Sequence, residues 1–370
     1  MHSYQVLIIG SGFGGQCAAV NLLKAGITDF RLLERRDFFG GTWCQNTYPG
    51  AAVDVPSPLY SLSFASWRWT QMFAEQAELQ QYTQYVVDHF QLRDKVELQA
   101  NVERVEWDQD ARQWQVFTRG KGIFRGQFLI NASGPLSQPV VPPFKGLQRF
   151  AGKSFHSNAW DHNYDYRNRR VAIVGSGASA AQIIPALAPQ VAQLHVFQRS
   201  AHWVLPRADR RFGRFQRWLL GIKPAYTLLR WLIYWQFETR VIAFKYSISA
   251  LKMVQSQALR HLKRQVPDAE LRRKLTPDFT IGCKRVILSS TLYPALSRSN
   301  VTLHDRDQGI VALDERGIQT LDGQHIDLDL IIWATGYDAT DGAIAYPVLG
   351  KNGARLSDAW AQFPRAYLGT

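Results

Sequence analysis

Sulfur is scarce in this chain: three cysteines and three methionines in 370 residues. Cys17, Cys44 and Cys283 are far apart and odd in number, which excludes a disulfide framework and suits a reducing, cytoplasmic compartment. Long apolar runs are missing too. Between Arg207 and Pro277, where Trp and Leu are dense, no uncharged stretch is longer than Trp231–Phe237. That is far short of the roughly 18 apolar residues a membrane span needs, so an integral membrane protein is not expected. Only Met1–Ile9 precede the first glycine motif, and Tyr4–Ile9 already read as a strand, so no secretory leader is expected. There is no H-E-x-x-H, no paired C-x-x-C and no G-x-S-x-G, hence no metal site and no serine nucleophile. Low-complexity tracts are absent, which excludes disorder as the dominant state.

What is present is ordinary in bulk, with 46% hydrophobic, 12% aromatic and 20% charged residues. At roughly 150 residues per domain the length suggests two or three packing units. The net charge of +13 is less ordinary. It admits nucleic acid, anionic membrane or phosphorylated cofactors as partners. The basic residues read as spread along the chain, with small clusters at Arg167–Arg170 and Arg207–Arg217. No zinc-finger or RNA-recognition spacing accompanies them, so no nucleic-acid partner is expected.

Tyr4–Ile9 is a mostly apolar run suited to a buried parallel strand. It is followed by Gly10-Ser-Gly12-Phe-Gly14-Gly15, a helical pattern over Cys17–Ala25, and a strand Phe30–Leu33 delivering Glu34. Gly10 permits the tight turn, Gly12 lets backbone reach a pyrophosphate, Gly15 lets helix and strand pack, and Glu34 can accept a ribose hydroxyl. The grammar recurs with strand Arg170–Val174, turn Gly175-Ser176-Gly177-Ala178-Ser179-Ala180, helix Ala181–Leu187 and strand Leu194–Phe197. Here the second strand ends in Gln198-Arg199-Ser200, and an arginine there suits the extra phosphate of NADP. Two dinucleotide folds imply two dinucleotides, with electrons passing from a nicotinamide to a flavin. Phe128–Pro135 and Leu330–Tyr337 each read as a buried strand ending in a small-residue turn where the chain crosses between domains. The Arg207–Pro277 stretch reads as a helical insert covering a cleft, and peripheral contact with a membrane surface is the alternative for it.

Two further motifs resemble the type I Baeyer–Villiger monooxygenases, kin of the flavin-containing monooxygenases, and the resemblance covers nearly the whole chain. Phe150, Gly152, His156, Trp160 and Asp161 match F-x-G-x-x-x-H-x-x-x-W-[P/D]. Gly40 to Asp54, with Trp43, Tyr48 and Pro49, match [A/G]-G-x-W-x-x-x-x-[F/Y]-P-[G/M]-x-x-x-D. The resemblance implies an α/β fold of two Rossmann-like domains for FAD and NADP(H) with a helical insert. The expected bounds are 1–145 for FAD, 146–335 for NADP with insert 207–277, and 336–370 for the start of a return to the FAD domain. In the family the chain continues past this point, so the expectation is a flavin domain lacking its closing segment.

By the same resemblance Thr42, Trp43, Asp54 and Tyr60 run along the flavin, and Val102 falls near the adenine end. Lys284 contacts NADP. Phe150, Gly152, His156 and Trp160 act as a linker rather than in proton transfer. Arg285, held by Asp54, is the catalytic candidate, since an always-charged guanidinium can stabilise the anions of oxygen insertion. The alternative is that Arg285 only binds a cofactor phosphate. The implied reaction is NADPH- and O2-dependent insertion of oxygen beside a ketone carbonyl, giving an ester or lactone. The alternatives are S- or N-oxygenation, or a non-catalytic dinucleotide-binding remnant.

Overall fold

The computed structural model describes residues 2–246, 248–338, 344–363 and 365, with no side-chain account for 242–248. Parts of the expected return segment, 339–343 and 366–370, lie outside the described residues. The chain forms two compact units, one of Met1–Gln45, Leu79–Pro139 and Tyr337–Thr370, the other of Asn46–Glu78 and Val140–Gly336.

The first unit is built around β1 (His2–Ile9), α1 (Phe13–Lys24) and β2 (Phe30–Leu33). β1 pairs in parallel with β2 on one side and with Gly122–Asn131 on the other, in the interior of a seven-stranded sheet. Its second half, Val6–Ile9, is fully buried, as a run without polar alternation requires. The helix begins one turn earlier than its apolar pattern suggests, at Phe13 rather than Cys17. Gly14 and Gly15 therefore lie inside its first turn, where the amides need no intrahelical partner. The strand through Phe128 is not buried on both faces as expected. Leu129 packs on the core while Phe128, pointing the other way, is 60% exposed. Val102 also packs against this core.

The second unit holds an all-parallel five-stranded sheet made of β3 (Lys153–His156), β4 (Arg170–Val174), β5 (Gln193–Phe197), β6 (Val301–His304) and β7 (Leu330–Trp333). Their spatial order is β6-β5-β4-β7-β3. Alternate residues face two separate cores: Val171, Ile173, Leu330 and Ile332 one, Ala172, Val174, Ile331 and Trp333 the other. Burial on both faces is why these strands read as continuous apolar runs. α2 (Ala178–Leu187) follows β4, again starting earlier than the expected Ala181. The insert is helical: α3 (Arg214–Leu220), α4 (Lys223–Tyr246), α5 (Ile248–Gln265) and a short helix at Ala269–Leu275. Among the described residues no helix is long and apolar enough to cross a membrane.

Residues 46–78 differ from the expected division, clustering with the second unit. Hydrogen bonds and burial explain this. Tyr48 Oη donates to Gln182 Oε1 of α2 at 3.0 Å, and Gln182 Nε2 donates to Ala52 O at 2.8 Å. Arg230 of α4 donates to Pro58 O and Ser61 O at 2.5 and 2.9 Å. Trp69, fully buried, donates its indole N–H to Tyr226 Oη at 3.0 Å.

Candidate functional site

Each unit presents a strand–turn–helix with an open helix N-terminus. In the first, Gly10 has φ +102°, and a Cβ there would stand 2.4 Å from Ala132 O, so only glycine fits. Gly12 caps α1 with no side-chain bond, leaving the first amides of the helix without a capping side chain. Gly41 crosses this turn closely, since its Cβ would lie 2.7 Å from Gly12 Cα. Glu34, at the tip of β2, is buried. It accepts from Ser11 Oγ at 2.5 Å, from Ser11 N at 3.1 Å and from Arg36 N at 3.0 Å. Thr42 and Trp43 lie in the short helix Thr42–Gln45 of this unit, beside the Gly40–Gly41 loop.

In the second unit Gly175 has φ +124°, and a Cβ would stand 2.2 Å from Ala334 O. Gly177 caps α2 with no side-chain bond and with open space where a Cβ would point. The turn lines a cavity of about 600 Å³ that also includes Arg199, Ser200, His202 and Arg306. Ser176 Oγ donates to Ser200 O at 2.9 Å, and Lys284 Nζ donates to Ser200 Oγ at 3.0 Å. Arg199 is exposed at this cavity, where the helix amides favour an anion and Lys284 stands behind the lining residue Ser200. Burial holds His202 below the usual histidine range, with Lys284 acting in the same direction. Ala180 is fully buried in the core and Ser179 is within reach of Tyr48 Oη at 3.3 Å, so these two shape the helix rather than the cavity.

Asp54 and Arg285, 231 residues apart, form an ion pair within this unit. The Arg285 side chain is 70% exposed, and a guanidinium carries five N–H donors. Arg207 is a neighbour that sequence reading did not single out. It is half-buried, donates to Phe73 O at 2.9 Å, pairs with Asp209 at 3.2 Å and feels the Asp54 charge. Arg306 was likewise missed. Its only sequence signal is its place just beyond the end of β6. Tyr60 ends the short helix Ser57–Tyr60, which α4 covers.

The linker residues are structural. His156 is buried, with Nδ1 accepting from Asn158 N at 3.2 Å and Nε2 donating to Gly336 O at 3.1 Å. Burial lowers its pKa, which suits a neutral ring holding the end of β7. Val140 N also donates to Gly336 O, at 3.1 Å, so His156 braces the point where the chain enters and leaves this unit. Trp160 sits in the core, edge-on to Phe155 at 5.2 Å. Phe150 occupies the space in front of Gly152, where a Cβ would stand 2.4 Å from its ring.

The residues fit both dinucleotides: two uncapped helix N-termini, two turns that exclude a Cβ, a ribose-ready carboxylate in one and exposed cations in the other. This defines a two-dinucleotide oxidoreductase. The sequence profile described as flavin-binding monooxygenase-like matches residues 64–356, and that of an NAD(P)-binding Rossmann-like domain matches residues 8–75. The chain is 43% identical to a Baeyer-Villiger monooxygenase of Streptomyces coelicolor, over 96% of this chain and 68% of the relative. It is 40% identical to one of Pseudomonas aeruginosa, over 99% and 69%. An oxidised steroid monooxygenase bound to NADP superimposes with a TM-score of 0.89 at 33% identity, covering 99% of this chain and 78% of the other. A closed cyclohexanone monooxygenase does so at 0.89 and 28%, covering 100% and 77%. The chain belongs to the flavin-binding monooxygenase-like family, on its Baeyer–Villiger branch.

Proposed function

We propose that the first unit holds FAD, the second holds NADPH, and the enzyme converts ketone, O2, NADPH and a proton into ester or lactone, NADP+ and water. Bound, the two cofactors supply hydride and oxygen activation. The chain's own residues supply placement and charge. The observation that carries the reading is the Asp54–Arg285 ion pair, formed by residues 231 apart in sequence.

Asp54 fixes one edge of the Arg285 fork and leaves the other N–H groups exposed. Those donors stabilise negative charge as it develops on oxygen during attack at the ketone carbonyl, and the guanidinium cannot lose its proton while doing so. Arg207 adds a second positive charge near Asp54. Lys284, Arg199 and Ser200 hold the anionic end of NADPH, and the open amides of α2 receive its pyrophosphate. Glu34 receives the flavin ribose, with Ser11 orienting its carboxylate. The three cysteines are all free, which supports a cytoplasmic address.

Arg285→Ala tests the assignment. Ketone oxidation should fall by about 10²–10³ while NADPH binding holds. Sulfoxidation of a thioether, which develops less negative charge, should fall far less. Equal loss of NADPH affinity and of both activities would show that Arg285 only binds cofactor phosphate. Retention of ketone oxidation in the variant would remove Arg285 from the oxygen-insertion step, and a parent enzyme that oxidises thioethers but no ketone would favour the S- or N-oxygenase reading.

A further inference from the structure

The positive charge is far less evenly spread than a scan for clusters suggests. Residues 210–267 contain twelve Lys and Arg and a single acid, Glu238, a net +11 out of the chain's +13. That segment is the helical insert, α3 to α5. The same helices carry many of the exposed large apolar side chains among the described residues. Phe215 and Trp218 of α3 are 69% and 53% exposed and stack with centroids 5.7 Å apart. On α4, Leu228, Trp231, Leu232 and Trp235 are each more than half exposed. Their spacing of three, four and seven residues puts them on one stripe.

This stripe is not a loose helix awaiting a core. The other side of α4 is already seated: Tyr226 and Ile233 are buried, Tyr226 Oη bonds Ser61 Oγ at 2.6 Å, and Arg230 is anchored on the carbonyls of Pro58 and Ser61. The helix is held from one side and presents tryptophan and leucine on the other, with Arg214, Arg217 and Lys223 close by in sequence. An amphipathic face rich in Trp, Leu and Arg matches the boundary between lipid headgroups and acyl chains. Eleven cations besides the anchored Arg230, against one acid, match an anionic headgroup surface. They oppose a second copy of this chain, which would bring the same charge face to face. The aliphatic share of the stripe offers nothing to nucleic-acid bases, which stack on aromatic faces. No described helix is long and apolar enough to span, so the helix lies on the surface.

We propose that α3 and α4 dock this protein peripherally on an anionic membrane surface. The proposal is independent of the catalytic reading.

The test is co-sedimentation of the full chain with phosphatidylcholine vesicles, with and without about one third phosphatidylglycerol. Binding should require the anionic lipid and weaken about tenfold or more on going from low to high salt. A Trp231→Ser/Trp235→Ser variant, with circular dichroism and NADPH affinity matching the parent, should bind about tenfold more weakly. Brominated lipid should quench tryptophan emission of the unmodified protein, which keeps the test independent of that variant's folding. Absence of pelleting with anionic vesicles at low salt would overturn the proposal. So would equal binding to pure phosphatidylcholine, absence of quenching, self-association without vesicle binding, or tighter binding to duplex DNA than to vesicles.

Discussion

The two glycine turns share a grammar and differ in what waits at the end of it. Glu34 and Arg199 stand at the same offset, 24 residues beyond Gly10 and Gly175 respectively. One is a buried carboxylate already bonded to Ser11 and Arg36, the other an exposed guanidinium at a cavity. The serine in each turn reaches across to that same strand tip, Ser11 to the Glu34 side chain and Ser176 to the Ser200 carbonyl. The third small residue differs as well. A Cβ at Gly15 would stand 2.0 Å from Gly10 O, whereas Ala180 carries one in the core of its unit. One backbone device has thus been tuned twice. In the first turn backbone approach is tighter and the recognition group is fixed by its own unit. In the second, open space lies in front of Gly177 and an exposed arginine stands at the cavity, the arrangement that the proposed phosphate contact would use.

The largest effect should come from breaking the turns themselves. Gly175→Ala forces a side chain into a positive-φ position against Ala334 O and should cost about 2–4 kcal/mol, seen as a lowered denaturant midpoint. Gly177→Ala points into open space and should leave that midpoint nearly unchanged, yet weaken NADPH binding about tenfold in a calorimetric titration. If both variants lose stability equally, the division between turn and cradle is wrong.

Charge at the strand tip comes next. Arg199→Ala should raise the KM for NADPH about 10–100-fold, the size of one lost charge-assisted bond, and leave that for NADH unchanged. Loss of both to the same degree would place Arg199 outside phosphate recognition.

The smallest effect is a pH dependence confined to the second unit. His304, at the end of β6, is buried with Nε2 3.0 Å from His195 Nδ1, and burial pulls its pKa down to about 4. Between about 6.5 and about 4 the unfolded chain takes up a proton that the folded chain refuses. Stability from this group is therefore full above about 6.5 and falls as the pH drops through that window, by up to about 2 kcal/mol at pH 5. Replacing His304 with Gln should flatten the fall in melting temperature between pH 7 and 5. An unchanged slope would assign the acid sensitivity elsewhere.

Both strand–turn–helix units, the insert and the pairing of Asp54 with Arg285 were legible in sequence, because apolar runs, glycine spacing and family motifs are local patterns. Three things were not. The helices start inside their glycine turns, since amides at a helix N-terminus need no partner and the apolar period begins only later. The segment 46–78 joins the second unit through contacts such as Tyr226–Trp69 and Arg230–Ser61, which link residues more than 150 apart. Arg207 and Arg306 acquire their roles from long-range neighbours, Phe73 and the Gly175 cavity, that no spacing encodes.

Oxygen insertion beside a ketone by the FAD- and NADPH-loaded chain leaves an isotopic trace in the product. It is tested most directly by turnover of a ketone panel under ¹⁸O2 with mass analysis of the products. The expected product is an ester or lactone carrying one ¹⁸O for each NADPH consumed by coupled turnover. NADPH oxidation yielding only hydrogen peroxide, with no labelled ester from any ketone, would contradict it.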